Sequence, residues 1–367
     1  MKYYFILFIT SLLITGNVLA QSILKPGFDA DEYRTFLKIS ERQSDSTKFK
    51  LMLPWPANFK REYVSPITGL DNRFEIWTNK SKGLCVISIR GTTMKNESWL
   101  ENFTAGMLPS TGKIQFDSTG LINYKVAENP RAYVHSGWMI GMLSMAPDII
   151  SQMKQQYKAG YRNFVIFGHS QGGAIAFLLR SFLYYHPQQL PEDIIIKTYS
   201  SAAPKPGNLY YSYDYDFITR GGWGLRVVNT LDWVPEVPFA IQTLDDINQI
   251  SPFANIEKVF KNMKFFQRIY LKRIYKKLDR STEKARKRYI KYLGNKTFQF
   301  IQEFLPQAVK PDFVESFDYS TAGTPVILVP QQAYHQNYFN PSNKGIFVHH
   351  LMYPYWLACM ENYPERD

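Results

Sequence analysis

The sequence predicts an α/β chain with a mostly parallel central sheet, helices on both faces and one strongly basic helical insertion. Three observations carry that prediction. Short apolar runs of buried-strand length alternate with stretches of helical period from about Gly83 onward, the pattern of strands covered on both faces. One run, Asn163 to Phe167, passes through Gly168-His169-Ser170-Gln171-Gly172 directly into a helical pattern. Finally, Lys258 to Lys296 holds 15 Lys and Arg against two acids, Asp279 and Glu283, in a chain of formal net charge +12. The remainder carries −1, so the basic character belongs to one segment.

The elements follow in order. Met1-Lys2, an apolar stretch from Tyr3 to Ile14 and Val18-Leu19-Ala20 describe a secretory signal peptide over residues 1–20. Cleavage after Ala20 predicts a secreted or periplasmic protein beginning at Gln21. Residues 21–80 are mixed, with turn signals at Pro54-Trp55-Pro56 and Gly69-Leu70-Asp71-Asn72 and a strand over Phe74 to Thr78. Gly83 to Arg90 reads as a buried strand ending in Gly91-Thr92-Thr93. Helical patterning starts near Ser98 and again covers Gly137 to Lys158. After the run at 163–167, a helix over Gln171 to Tyr185 stops near Pro187. Further strands are predicted at Ile194 to Ser201, Leu225 to Asn229, Val326 to Val329 and Gly345 to Val348. Residues 21–252 and 306–367 thus form the α/β body, and 253–305 the insertion.

Composition narrows the classes further. Apolar residues make up 45% and aromatic residues 16%; such an aromatic share suits a core, an apolar cleft or a lipid interface. The two cysteines, Cys85 and Cys359, are too few for a metal cage or a disulfide framework. Cys85 reads as a buried core thiol, and an oxidising compartment permits a Cys85–Cys359 bond.

Within the insertion, Val259, Met263, Phe266, Tyr270, Ile274 and Leu278 recur at spacings of three and four, with Lys261, Lys264, Arg268, Lys272 and Lys276 between them. That is an amphipathic helix with a cationic face. Ser281 can cap a second helix, Gly294-Asn295 can end it, and a third can span Phe298 to Phe304. Two readings stand: a solvated helical hairpin packed on the body by its apolar stripe, or an element that meets an anionic membrane surface through residues 258–296. No nucleic-acid module surrounds it, so no nucleic-acid partner is expected.

The segment around Ser170 carries the chemistry. A strand entering Gly-x-Ser-x-Gly and leaving as a helix is a nucleophile elbow, which defines an α/β-hydrolase fold. Glycines at 168 and 172 remove side chains that the tight turn would drive into backbone. The elbow demands an acid and then a histidine later in the chain. Asp232 ends the strand Arg226-Val227-Val228-Asn229 and is fixed by Val234-Pro235, with Asp245 and Asp246 as rivals. Of six histidines, His349 and His350 follow the last predicted strand. His135 precedes the serine, His186 ends the elbow helix, His335 lies in a polar loop, and His169 belongs to the elbow itself and points elsewhere.

Five segments together resemble the class 3 lipases, the fungal-lipase-like esterases: Ile89-Arg90-Gly91-Thr92 with Ser98-Trp99-Leu100-Glu101-Asn102-Phe103; Val134-His135-Ser136-Gly137-Trp138; Ala203-Pro204-Lys205-Pro206-Gly207-Asn208; Asn229-Thr230-Leu231-Asp232-Trp233-Val234-Pro235; and His350-Leu351-Met352-Tyr353. The resemblance implies a Ser170–Asp232–His350 triad, with His350 rather than His349 as base. It also implies an oxyanion hole from the amides of Thr92 and Gln171, and a lid-bearing stretch after Thr92. It calls for no cofactor and no metal. The family usually has Leu after the nucleophile, where this chain has Gln171, and the stretch between Asp232 and His350 is longer than usual.

These implications predict a serine hydrolase of carboxylic esters, foremost a lipase acting on acylglycerols. A phospholipase or small-ester esterase is the alternative, and a membrane-binding protein on an inactive scaffold is the rival from another class. Trp99, Leu100, Phe103, Trp233 and Phe239 are the candidate cleft residues. Residues 93–103 are expected to form a mobile helix over that cleft, polar outside and apolar inside.

Overall fold

The computed structural model describes residues 24–44, 51–118, 120–254, 259–261, 263–338 and 345–364. The predicted signal peptide lies outside the described residues. A seven-stranded sheet forms the centre: β1 (Lys60–Val64), β2 (Phe74–Asn79), β3 (Leu84–Ile89), β4 (Asn163–His169), β5 (Ile195–Ser201), β6 (Gly224–Asn229) and β7 (Thr324–Leu328), in that spatial order. The β1–β2 and β2–β3 pairs are antiparallel, and every pair from β3 to β7 is parallel. The observed fold is therefore the predicted α/β architecture with a mostly parallel sheet.

Alternation along the inner strands explains why both faces are covered. Cys85, Ile87 and Ile89 of β3 and Phe164 and Ile166 of β4 join one core, with helices α3 (Ser136–Lys158) and α4 (Gln171–Tyr185). Leu84, Val86, Val165 and Phe167 face the opposite core, with α1 (Ala30–Glu41), α8 (Gln332–Asn337) and the C-terminal α9 (Met352–Asn362), while α5 (Leu209–Ile218) joins the first core through Tyr211 and Tyr215. With both faces buried, these strands read as unbroken apolar runs. Cys85 and Cys359 lie in different cores and are both free and buried, so the permitted disulfide is absent.

Two sequence expectations need correction. Gly345 to Val348 is not a strand: residues 346–350 form consecutive turns. Its apolar character has another cause, since Ile346 and Phe347 line the cleft described below. The basic segment is likewise not a hairpin. Helix α6 (Phe265–Tyr289) runs through Ser281 without a break, continues as a π-helical stretch over Ile290–Lys296, and passes into α7 (Thr297–Phe304). Ser281 does not cap; its hydroxyl bonds back to the Lys277 carbonyl, and Gly294 sits inside the π stretch. The backbone approaches closely here: a Cβ on Gly294 would lie 3.1 Å from the Phe313 ring and 3.4 Å from the Gly106 Cα.

This rod has two parts. Its C-terminal end is built into the body. Phe298 and Ile301 are buried in the α3/α4 core, and the Arg286 guanidinium is buried against Asp245, Glu283 and Glu315. Residue 305 is therefore not a packing boundary. The N-terminal part stands off the body, with Phe266 83%, Tyr270 65% and Leu278 62% exposed. The apolar stripe read from the sequence is present, and Phe266, Tyr270 and Leu278 on it are left exposed.

Candidate active site

The carboxyl ends of β3, β4 and β6 converge on one cavity, as expected for an open parallel sheet. The elbow follows from local sterics. Ser170 sits between β4 and α4 with φ 60° and ψ −130°, a conformation that costs a non-glycine residue on the order of 1–3 kcal/mol and recurs at functional sites. The turn is tight enough to dictate its glycines. A Cβ on Gly168 would lie 2.0 Å from the Gly172 carbonyl oxygen, and one on Gly172 would lie 2.4 Å from that of Ile89. The serine amide donates to the Ser201 carbonyl at 2.9 Å, tying the elbow to β5.

His350 and Asp232 form a buried pair, with His350 Nδ1 donating to Asp232 Oδ2 at 2.8 Å. That bond fixes the tautomer and leaves Nε2 without a proton. The carboxylate is itself held on both oxygens. Oδ2 also accepts from the Tyr355 hydroxyl at 2.7 Å, and Oδ1 accepts from the Val234 amide at 3.0 Å. His349 is used elsewhere: its Nδ1 meets the Tyr334 hydroxyl at 2.8 Å, and its carbonyl accepts from Asn229. The rival acids are also engaged, Asp245 with Arg286 and Asp246 with Thr243 and Ser316.

Behind this pair lies a chain of contacts that the sequence did not reveal. The His169 ring contacts the His350 carbonyl at 2.5 Å through Nε2 and Ser201 Oγ at 3.0 Å through Nδ1. A carbonyl only accepts, so Nε2 carries the proton, Ser201 donates to Nδ1, and Tyr33 donates to Ser201 Oγ at 2.7 Å. Burial pulls the His169 pKa down to about 3, so the ring stays neutral and the relay keeps one direction. His169 does not point away from the chemistry: it anchors the backbone of the residue paired with Asp232. Tyr33, Ser201 and Tyr355 lie far from one another along the chain, and no local pattern marks them.

Ser170, His350, Thr92 and Gln171 all line one cavity of about 1020 Å³. Of the predicted cleft residues, Trp99, Phe103, Trp233 and Phe239 line it, whereas Leu100 packs into the α3/α4 core. Phe347, missed as part of a supposed strand, packs against Trp99, Trp233 and the His350 ring. Met52, Met94, Phe103, Phe239, Ile346 and Leu351 are exposed lining residues, an apolar rim around the opening. Among the described residues no group of three His, Cys, Asp or Glu side chains is placed to hold a metal.

Helix α2 (Asn96–Phe103) covers part of the cavity, but its inner face is not purely apolar. Ser98 and Glu101 are buried, and Asn102 accepts from the Trp138 indole N–H at 2.9 Å. Glu101 accepts from Asn72 at 2.6 Å, and its burial raises its pKa to about 8. The stretch thus forms the expected helix over the cavity, at Asn96–Phe103, with polar as well as apolar side chains beneath it. Among the described residues, no hydrogen bond engages the amides of Thr92 or Gln171, which leaves both donors free beside Ser170.

Residues 86–242 match the family model for lipase (class 3). Among solved structures, the chain is similar to a lipase–propeptide complex from Rhizomucor miehei, at 18% identity over 58% of this chain and 65% of that one, with a TM-score of 0.41. It is also similar to lipase II from Rhizopus niveus, at 20% identity over 57% and 74%, TM-score 0.41. A triacylglycerol lipase from Penicillium expansum matches at 18% identity over 57% and 75%, TM-score 0.41. The chain thus spans just under two thirds of the first of these. No curated protein sequence matches it.

Proposed function

We propose, from the premise that residues 86–242 carry the class 3 lipase pattern, that this protein is a serine hydrolase of carboxylic esters, acting as a lipase on acylglycerols. The observation that carries the proposal is the convergence of an elbow serine and a histidine–aspartate pair on a cavity with an exposed apolar rim. Monomeric soluble proteins rarely expose contiguous apolar surface without a use for it, and an acyl chain needs such a path to the nucleophile.

In this reading Ser170 Oγ attacks the ester carbonyl while its proton passes to His350 Nε2. Asp232 stabilises the resulting imidazolium through the 2.8 Å bond to Nδ1. The tetrahedral oxyanion is held by the amides of Thr92 and Gln171, with the α4 N-terminus behind them; each such donor is worth about 3 kcal/mol in the transition state. Collapse expels the alcohol, which takes the proton from His350. Water then repeats the sequence on the acyl-enzyme and releases the carboxylic acid. The chain's own groups supply every proton transfer in this scheme.

We propose further that the protein is secreted or periplasmic, on the signal-peptide pattern of residues 1–20, and that it meets an anionic lipid surface. The support is the standing-off part of α6, where Phe266, Tyr270 and Leu278 are exposed among Lys264, Arg268, Lys272 and Lys276. Each cation near an anionic bilayer contributes roughly 1 kcal/mol, and apolar side chains beside them can enter the headgroup boundary. Among the described residues no helix is long and apolar enough to cross a membrane.

A panel of p-nitrophenyl esters, emulsified triacylglycerols and phospholipid vesicles tests the activity. Triacylglycerol hydrolysis lost in Ser170→Ala supports it. Hydrolysis of phospholipids alone redirects the assignment, and no hydrolysis by a folded protein refutes it. Co-sedimentation should rise with anionic lipid fraction, fall with salt, and weaken when Lys264, Arg268 and Lys272 become Gln. Equal binding to neutral vesicles would remove the surface reading.

A further inference from the structure

The residue after the nucleophile is Gln171, and its side chain is as placed as its amide. The carboxamide is buried, and Oε1 accepts from the Thr92 hydroxyl at 2.9 Å and from the Ser98 hydroxyl at 3.3 Å. Thr92 contributes an amide to the oxyanion hole, and Ser98 lies on the inner face of α2. One side chain therefore joins nucleophile loop, oxyanion strand and cavity-covering helix.

Neighbouring bonds close the ring. Asn102 of α2 donates to Thr92 Oγ1 at 3.0 Å, and the Thr93 amide donates to Ser98 Oγ at 3.1 Å. The second polar arm of α2, Glu101, is fully buried, and Asn72 donates to its carboxyl group at 2.6 Å. Three consecutive helical turns are not available to α2, which is only eight residues long; such a helix holds its place by tertiary contacts rather than by its own propensity. Gln171 supplies one of those contacts, through Ser98, beside the Asn72–Glu101 and Trp138–Asn102 bonds.

We infer that the Gln171 carboxamide is a positioning residue that locks Thr92 and α2 in the reaction-ready arrangement, so the oxyanion hole exists before substrate arrives and dispersed esters are hydrolysed without activation at an interface. The inference rests on the ester-hydrolase reading above and specifies how its site is held. Leucine in this position cannot accept either hydroxyl proton. It would leave the buried Ser98 hydroxyl and the Thr92 hydroxyl without their shared acceptor, and a buried donor without a partner favours any motion that rehydrates it. The backbone amide of residue 171 is the same in either case.

The test compares wild type, Gln171→Leu and Gln171→Glu on p-nitrophenyl butyrate, with concentration taken through its solubility limit. Gln171→Glu keeps an acceptor oxygen at the same reach. Wild type should saturate smoothly. Gln171→Leu should lose about tenfold or more in kcat/KM on dispersed substrate, as for loss of an aligned oxyanion group, and then regain rate above the limit. Gln171→Glu should keep the 98–103 amides slow to exchange, while its charge beside the oxyanion amides lowers the rate. Hydrogen exchange of the 98–103 amides, which needs no activity, should be slow in wild type and fast in Gln171→Leu; Ser98→Ala should give a smaller change of the same sign should Gln171→Leu not fold. A rate jump at the solubility limit in wild type, or exchange and dispersed-substrate kinetics in Gln171→Leu within about twofold of wild type, would overturn the clamp. A wild type that hydrolyses no ester yet shows the exchange difference would refute the proposed activity and leave the clamp standing.

Discussion

Raising the pH from 6.5 to 8 should weaken the folded state, and lowering it below 6.5 should weaken it as well, because of three buried groups. Burial raises the Glu101 carboxyl from 4.5 to about 8. The native state therefore keeps a proton that the unfolded chain releases above pH 4.5, and stability is lost as pH rises through that window. Burial lowers His135 and His169 from 6.5 to about 3. They stay neutral in the fold while the unfolded chain takes up protons below pH 6.5, so stability is lost as pH falls. Each group contributes up to about 1.4 kcal/mol per pH unit. Between pH 6.5 and 8 only Glu101 acts, which amounts to about 2 kcal/mol. Between 6.5 and 4.5 the two histidines outweigh it, for a net loss of about 1.4 kcal/mol per unit. These three groups alone place the maximum near pH 6.5. Urea unfolding at pH 5, 6.5 and 8 reads it directly, with Glu101→Gln as the control that should lose the alkaline limb. Stability that is flat or rising from pH 6.5 to 8, or an unchanged slope in Glu101→Gln, would refute the assignment of a buried neutral acid under α2.

Other outcomes follow from single contacts. Gly168→Ala should fail to give active, folded protein, because its Cβ would meet the Gly172 carbonyl at 2.0 Å and both atoms belong to fixed backbone; soluble, active protein would contradict the elbow geometry. Asp232→Asn should keep the fold and lower kcat by about 10⁴, the scale known for a triad whose histidine loses its tautomer partner. Tyr355→Phe removes a 2.7 Å donor to the buried Asp232 carboxylate and should cost about 1.5–3 kcal/mol in unfolding free energy. A shift of less than a few tenths would show that the carboxylate is otherwise satisfied.

How much of this was legible in sequence divides along a physical line. Strands β3 to β6 were readable because burial on both faces leaves no polar alternation to confuse them. Strand β1 was not: Lys60-Arg61-Glu62-Tyr63-Val64 is an exposed edge with no apolar run. Helix α1 was missed inside a mixed stretch, although Asp29 caps it through the Asp31 and Glu32 amides. Phe347 was misplaced because a cleft wall and a buried strand demand the same residue types. The unbroken α6 defeated a capping argument, since a serine can bond back to its own helix as readily as cap a new one. Within the site, Ser170 and Asp232 could be chosen from order and placement, and His350 over His349 only through the family resemblance. Tyr33, Ser201 and His169, and the side chain of Gln171, could not, since their partners come from distant segments that only the fold brings together.

The central claim is that Ser170 is the nucleophile of an ester-hydrolysing site. Reaction with a fluorophosphonate, followed by intact mass and peptide mapping, tests it most directly. The account predicts one adduct, on the peptide containing Ser170, absent in Ser170→Ala and strongly slowed in His350→Ala. Undiminished labelling in a folded Ser170→Ala variant, or no labelling of a protein that hydrolyses esters, would contradict it.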